Sequence, residues 1–393
     1  MFEQGLMAML SVATDPYLLF LIFVTTILGV VIGVLPGLGA TTGAALLLPF
    51  TLTMDPVHAI AVLATIYVSA TFAGSITAIL INTPGTSAAA ATTFDGYPLA
   101  QKGEAGRALG VAVISSTVGG VFSVIILCFA APLLARVAYE FRSPEYFALT
   151  VFGLSMLASI SAGGAVKNLI GGIFGVWLST IGAERVTGIE RFMFGNYELY
   201  EGIHFVPIFI GLFAISELLV QSKTVNKIVN TVSMKAVKLP TKEDYKKIWK
   251  TILRSCGIGT FIGVLPAEGA TVASMIGYSE ARRWSKNKEE FGKGSIEGIA
   301  GAEAANNSAT GGAMVPTMVL GIPGSGTTAI ILVGLMVHGL RPGVYLFTEQ
   351  VEKVYQIFGS MFFANIMFML MGLYAAKFFA RVSLVPTAIL WPI

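Results

Sequence analysis

The chain is a succession of long apolar runs, nearly free of charge, that recurs from end to end. The runs fall at roughly 16–35, 40–53, 57–83, 106–135, 145–162, 165–182, 203–221, 250–279, 296–320, 326–340 and 354–380. Uncharged runs of about twenty residues predict membrane-spanning helices. Several runs are short or cut by Gly and Pro, which predicts half-helices and re-entrant hairpins. Non-helical backbone survives at membrane depth only where protein or a watery cavity satisfies its polar groups. The expected fold is an all-α polytopic membrane protein with broken helices.

Two interruptions are shared between the halves. Residues 33–41 read GVLPGLGAT and residues 263–271 read GVLPAEGAT. Further on, Ser69-Ala70-Thr71 precedes Pro84-Gly85, and Ser308-Ala309-Thr310 precedes Pro323-Gly324 at the same interval. Matching signatures in the same order predict two structural repeats, and such paired interruptions point to a transporter's binding site. The expected organisation is a first repeat over 1–110 and scaffold helices over 111–222. A basic cytoplasmic linker over 223–254, a second repeat over 255–345 and a C-terminal transmembrane helix over 346–393 follow.

Charge in the loops bears on topology. The loop from Lys223 to Arg254 holds nine Lys or Arg against Glu243 and Asp244. The loop from Glu280 to Lys293 holds Arg282, Arg283, Lys286, Lys288 and Lys293. Both are expected on the cytoplasmic side. The stretch between them, which contains GVLPAEGAT, would then enter and leave on one side as a re-entrant hairpin. Residues 1–15 and 51–58 contain no Lys or Arg and are expected outside. Opposite charge in corresponding loops favours inverted repeats, with a parallel arrangement still open. The N-terminus lacks the positive region of a signal peptide, and Lys102 is the first basic residue, so 16–35 is expected to be a retained span.

Composition narrows the function. Hydrophobic residues make up 55% and charged residues 12%, about half the roughly 25% charge of a soluble domain. A net charge of +3, carried in loops, makes no case for nucleic acid. Cys128 and Cys256 are far apart, and His58, His204 and His338 are scattered, so no transition-metal site is expected. The chain lacks HExxH and GxSxG and is not expected to be an enzyme.

The interruptions themselves carry chemistry. Gly lets backbone approach a ligand or take positive φ, and Pro ends helical hydrogen bonding. A broken helix offers carbonyls to a cation at one end and N–H groups to an anion at the other. Beside the breaks lie hydroxyls and amides, able to replace water around a cation or a carboxylate. Asn82, Thr83, Pro84, Gly85, Thr86 and Ser87 form one expected substrate-binding set. Asn306, Asn307, Pro323, Gly324, Ser325, Gly326, Thr327 and Thr328 form the other. Gly37, Gly39, Thr41, Thr42, Glu268, Gly269, Thr271 and Ser308 are the expected cation-binding set. No Arg or Lys lies within the signatures, so bound cations would balance an anionic substrate. Glu268, Glu297 and Glu303 are rare acidic residues in apolar surroundings and candidates for function.

Read together, these blocks resemble the tripartite tricarboxylate transporter family, in its large membrane subunit. The matching pieces are VIGVLPGLGATTGAALLLPFT, ITAILINTPGTSAAAATTFDGYPLAQKGEAGRALG, FIGVLPAEGATVAS, FGKGSIEGIAGAEAANNSATGGAMVP and LGIPGSGTTAIILVGLMVHGLRPG. The resemblance implies a carboxylate carrier of the bacterial inner membrane, working with a small four-helix membrane subunit and a periplasmic solute-binding protein. It implies a cation gradient as the driving force, sodium being the expected ion and a proton the alternative. A channel or a non-transporting assembly subunit is the competing reading. PAEG departs from the family's Gly-rich break, and the end at Trp391-Pro392-Ile393 suggests that C-terminal segments of the family fold are missing.

Overall fold

The computed structural model describes residues 2–157, 164–184, 187–221, 237–266 and 269–382. The fold is all-α apart from a two-stranded β pair in which Gly182 faces Arg191 and Ala183 faces Glu190. Four of the described helical stretches are long and apolar enough to cross a membrane: Pro16–Val34, Pro56–Ile81, Thr93–Tyr139 and Val351–Tyr374.

The first half opens with α1 (Phe2–Ser11) and α2 (Pro16–Val34). Asp15 caps α2 by accepting from the N–H groups of Tyr17 and Leu18, with Pro16 at the first helical position. The GVLPGLGAT break separates α2 from the short α3 (Ala40–Thr51), and α4 (Pro56–Ile81) follows, capped by Asp55. Next come α5 (Thr93–Leu99) and the long α6 (Ala105–Tyr139). Then α7 (Ser143–Leu157) and α8 (Ala165–Ser179) present apolar side chains such as Phe147 and Ile170 outward. Two short helices, α9 (Phe205–Phe209) and α10 (Ser216–Gln221), end this part.

The second half also has a helix break and a buried central helix. In it, α11 (Lys242–Val264) and α12 (Gly269–Trp284) flank the GVLPAEGAT break and pack together as an antiparallel pair, Arg254 lying over the Trp284 ring. Then come α13 (Ile296–Leu320), the GIPGS break and α14 (Gly326–Val337). After them α15 (Val344–Glu349), α16 (Val351–Tyr374) and α17 (Ala376–Val382) complete the described chain.

The centre is formed by α4 and α13, each buried along nearly its whole length. Small residues bring their neighbours close. Gly29 and Gly33 of α2 press on Ser69 and Ala70 of α4. The corresponding Gly259 and Gly263 of α11 press on Ser308 and Ala309 of α13. Likewise α6 meets α13 through Gly119 on Ala304 and Ser123 on Gly311, so these two helices run parallel. The side chain of Phe72 on α4 stacks on Phe368 of α16.

Polar loops gather at two ends. At one, His58 lies 3.9 Å from Asp15 and 3.8 Å from Asp55, and His338 reaches the carbonyl of Thr51 at 2.9 Å. At the other, Lys102 donates to the Lys293 carbonyl, and Arg107 pairs with Asp244 at 2.5 Å. There Asp95, fully buried, accepts N–H bonds from Gly292, Gly294 and Ser295 on one oxygen, at 2.8 to 2.9 Å. Burial works to raise the Asp244 carboxyl, but bonds from the Arg107 guanidinium and from Thr241 hold it below the ordinary range.

Three expectations are corrected. Residues 1–15, expected as a loop, contain α1, held because Gly5 seats Tyr355 and Met9 lies against Gly359 of α16. The basic stretch expected as linker to residue 254 becomes helix from Lys242, started by a capping box between Thr241 and Asp244. The stretch 111–222, expected as scaffold helices, also contains the β pair of Gly182–Ala183 with Glu190–Arg191.

Candidate functional site at the paired helix breaks

Each half ends its buried central helix in the same backbone state. Asn82 closes α4 at φ 55°, and Gly321 closes α13 at φ 69°. This left-handed turn favours Gly or Asn and folds the following Pro-Gly back against the helix. The N–H of Gly85 then donates to Gly74 O at 3.2 Å, and that of Gly324 to Thr317 Oγ1 at 3.3 Å. A side chain at Gly85 would strike Gly33 O, and one at Gly324 would lie 2.9 Å from Gly263 O. Each Pro-Gly turn is therefore seated on the GVLP segment of its own half.

Hydroxyls bridge the two halves. Thr41 at the start of α3 bonds Thr327 at the start of α14, oxygen to oxygen at 2.9 Å. Thr271 at the start of α12 donates to Ser87 at 2.9 Å. Each bridge joins the first break of one half to the second break of the other. Gly269, at φ 58°, lies against Ser325, and Ser325 bonds Tyr67 of α4 at 3.3 Å. The breaks at 82–87 and 321–328 are thus connected through 39–41 and 269–271.

Other expected site residues have local duties. Ser325 and Thr328 cap α14 reciprocally. Thr83 donates to the Ile81 carbonyl and Ser308 to the Ala305 carbonyl. Gly37 takes φ 91° within the first break, Gly39 caps α3 and Thr42 is buried. Pro84 and Pro323 lie in the turns and Gly326 opens α14, and Pro323 and Gly326 also line a cavity of about 570 Å³ with Pro266, Tyr146 and Thr150. Thr86 is packed on Gly74, its hydroxyl without a partner among the described residues. The Asn307 amide is fully buried, and neither of its polar atoms has a hydrogen-bond partner among the described residues. A buried polar group left unpaired costs about 1–3 kcal/mol, so each of these calls for a partner such as an ion, a water or a bound ligand. Glu268 lies outside the described residues.

Sequence reasoning missed contributors from the stretch read as scaffold. Ser116 of α6 donates to Glu303, and Tyr146 and Thr150 of α7 line the cavity. The adjacent Ser115-Ser116-Thr117 in an otherwise apolar run was the available signal. Tyr67 gave none.

Residues 19–393, essentially the whole chain, match the Tripartite tricarboxylate transporter TctA family. The chain is a member of the TctA family. It is 40% identical over 372 residues to an "Uncharacterized 52.8 kDa protein in TAR-I ttuC' 3'region" of Agrobacterium vitis, covering 94% of this chain and 74% of that protein. A second A. vitis relative, "Uncharacterized protein in TAR-II ttuC' 3'region", is 35% identical over 134 residues, covering 34% of this chain and 55% of that protein. No solved structure matches. TctA membership and the apolar helices together make this a multi-pass membrane protein of a transporter family.

Proposed function

We propose that this chain is the large transmembrane subunit of a binding-protein-dependent secondary transporter. It takes up tricarboxylates or related carboxylates across the bacterial inner membrane, with a sodium or proton gradient as the driving force. Its partners are a small four-helix membrane subunit and a periplasmic solute-binding protein. The observation that carries this reading is the pair of hydroxyl bridges, Thr41–Thr327 and Thr271–Ser87. They relate the two halves by exchange of first and second breaks, as a pseudo-two-fold axis through a central site would. The opposite courses of α4 and its counterpart α13 support an inverted arrangement: α4 starts at the end where His58 meets Asp15 and Asp55, and α13 starts at the end where Asp95 holds Gly292 to Ser295. The start of α14 offers N–H groups and hydroxyls to a carboxylate without a basic side chain.

Citrate uptake into proteoliposomes holding the complex tests the reading, under imposed sodium or proton gradients. Thr327→Val keeps shape and removes a hydroxyl. Losing one hydrogen bond to a charged ligand costs roughly 1.5–3 kcal/mol, about ten-fold or more in affinity. The same loss is expected for Thr41→Val, and the double variant should fall short of the sum because the two share one bridge. Two folded variants that both transport citrate as the parent does would overturn the central site. Conductance without saturable uptake would overturn the carrier.

A further inference from the structure

A second polar centre lies away from the paired breaks. Glu303 stands on α13 and is fully buried. Ser116 Oγ of α6 donates to one carboxylate oxygen at 2.7 Å, and Thr92 Oγ1 donates to the other. Asn306 lies one turn along α13, on the same face as Glu303. Its amide nitrogen reaches the Ala88 carbonyl at 3.4 Å.

Charged and titratable groups on the elements packed against α13 are engaged elsewhere or sit at helix ends. On α6, Arg107 pairs with Glu104 and Asp244, and Arg136 and Cys128 lie toward the far end. Asp95 of α5 holds the 292–295 loop, and Tyr278 of α12 interacts with it. Glu280 of α12 pairs with Arg283, next to Arg282, at the C-terminal end. The Lys residues and Arg254 of α11 lie in its first half, with Cys256 beyond them. Tyr97 on α5, Tyr139 at the far end of α6, Glu243 and Tyr245 in the first turn of α11, His58 and Tyr67 on α4, and Tyr345 and Glu349 on α15 complete the set, and α14 has none. Glu297 of α13 accepts from Ser285. Among the described residues, none of these forms an ion pair or hydrogen bond with Glu303.

An ionised carboxylate in such a place is costly without a cation, while a protonated one is not. The cage suits both states. Hydroxyls donate to the carboxylate, and when the carboxyl takes a proton its O–H turns onto a hydroxyl oxygen, which re-aims its own hydrogen. No heavy atom need move. Each carboxylate oxygen is met directly by a hydroxyl, which is the arrangement of a proton site rather than of a metal ion with its own oxygen shell.

We propose that Glu303 binds and releases the coupling proton of this carrier, with Thr92 and Ser116 as positioning residues. The coupling half of this proposal rests on the transport reading above; proton binding does not. The link to the breaks is short. The segment from Ser87 to Thr92 is held at one end by Thr271 and at the other by Glu303. Asn306, one turn from Glu303 on α13, holds its middle at the Ala88 carbonyl. Protonation changes the hydrogen bond that Thr92 makes, and with it the hold on the segment that carries the Ser87–Thr271 bridge.

Infrared spectroscopy of the purified chain in lipid tests proton binding without any substrate. A protonated-carboxyl band should disappear as pH rises, be missing in Glu303→Gln, and stay unchanged when choline replaces sodium. Ser116→Ala, which keeps the carboxyl and removes one donor, should shift the band's frequency. Should Glu303→Gln fail to fold, that frequency shift decides the assignment instead. A titration identical in parent and Glu303→Gln, or a band erased by sodium, overturns the proposal. Citrate is the probe for coupling: Glu303→Gln should retain exchange across the membrane but lose ten-fold or more of the accumulation driven by a pH gradient. Accumulation at the parent's level overturns the coupling role. A parent that moves no citrate under any gradient counts against the transport reading, and the infrared titration still decides whether Glu303 binds a proton.

Discussion

Replacing Gly29 by Ala places a methyl on the Ser69 hydroxyl, with Ser69 Cβ at 3.1 Å and Ile66 Cα at 3.4 Å. Only the oxygen is in impossible contact; the two carbons are tight but tolerable. Overpacking of this kind costs about 1–3 kcal/mol. Ser69→Ala removes the oxygen. Its hydroxyl donates to the Thr65 carbonyl of the same helix at 2.6 Å, so its deletion strands no donor and costs at most about 0.5–1.5 kcal/mol. The double variant should therefore recover most of what Gly29→Ala loses, a coupling of about 1 kcal/mol or more. The counterpart glycine behaves differently. At Gly259 an added methyl meets the Ser308 hydroxyl, but also the Ala305 carbonyl, with Ala305 Cα at 2.7 Å. Backbone cannot be trimmed away, so Ser308→Ala should not rescue Gly259→Ala. The assay is the apparent melting temperature of the six purified variants in one detergent. Equal rescue at both positions, or none at Gly29, would show that the helix spacing deduced from these contacts is wrong. The same series bears on Ser308 as a cation ligand, since a pure packing role leaves cation dependence untouched in Ser308→Ala.

Two further outcomes follow from the loop end. The Asp244 carboxyl is held below its ordinary value by Arg107 and Thr241, so its contribution is complete above the ordinary aspartate value of about 3.9 and is lost as pH falls through the lowered value. The melting-temperature gap between the parent and Asp244→Asn should be constant from pH 7 to about 5 and close under stronger acid; a gap that widens on acidification would refute the sign. Asp95→Ala leaves three N–H groups at 292–295 without their acceptor, each costing about 1–3 kcal/mol, and should yield little monodisperse protein, whereas Asp95→Asn keeps a carbonyl acceptor and should yield far more.

Much of this architecture is legible in the residues because membrane helices announce themselves by length and lack of charge. The runs at 16–35, 57–83 and 296–320 become α2, α4 and α13 within a residue or two. Pro and Gly mark the breaks because they forbid or relax particular backbone states, which is local information. The bridges were not legible. Thr41 and Thr271 stand in identical GAT contexts, and nothing local says that one meets Thr327 and the other Ser87. Glu303 drew notice as an acidic residue in an apolar setting, but Thr92 and Ser116 are ordinary hydroxyls until the fold brings them to it. The first helix escaped because Glu3 and Gln4 interrupt its apolar pattern, and its hold comes from α16, at the other end of the chain.

The Asp95 clasp also has a bearing on how the protein is made. Its acceptor oxygen belongs to the first half, and its three donors lie in the loop just ahead of α13. A ribosome must therefore deliver both helices of the second hairpin before the carboxylate finds its partners, and contacts so distant in sequence form late. Until then the half-made chain holds a carboxyl without the three N–H donors that meet it in the finished fold.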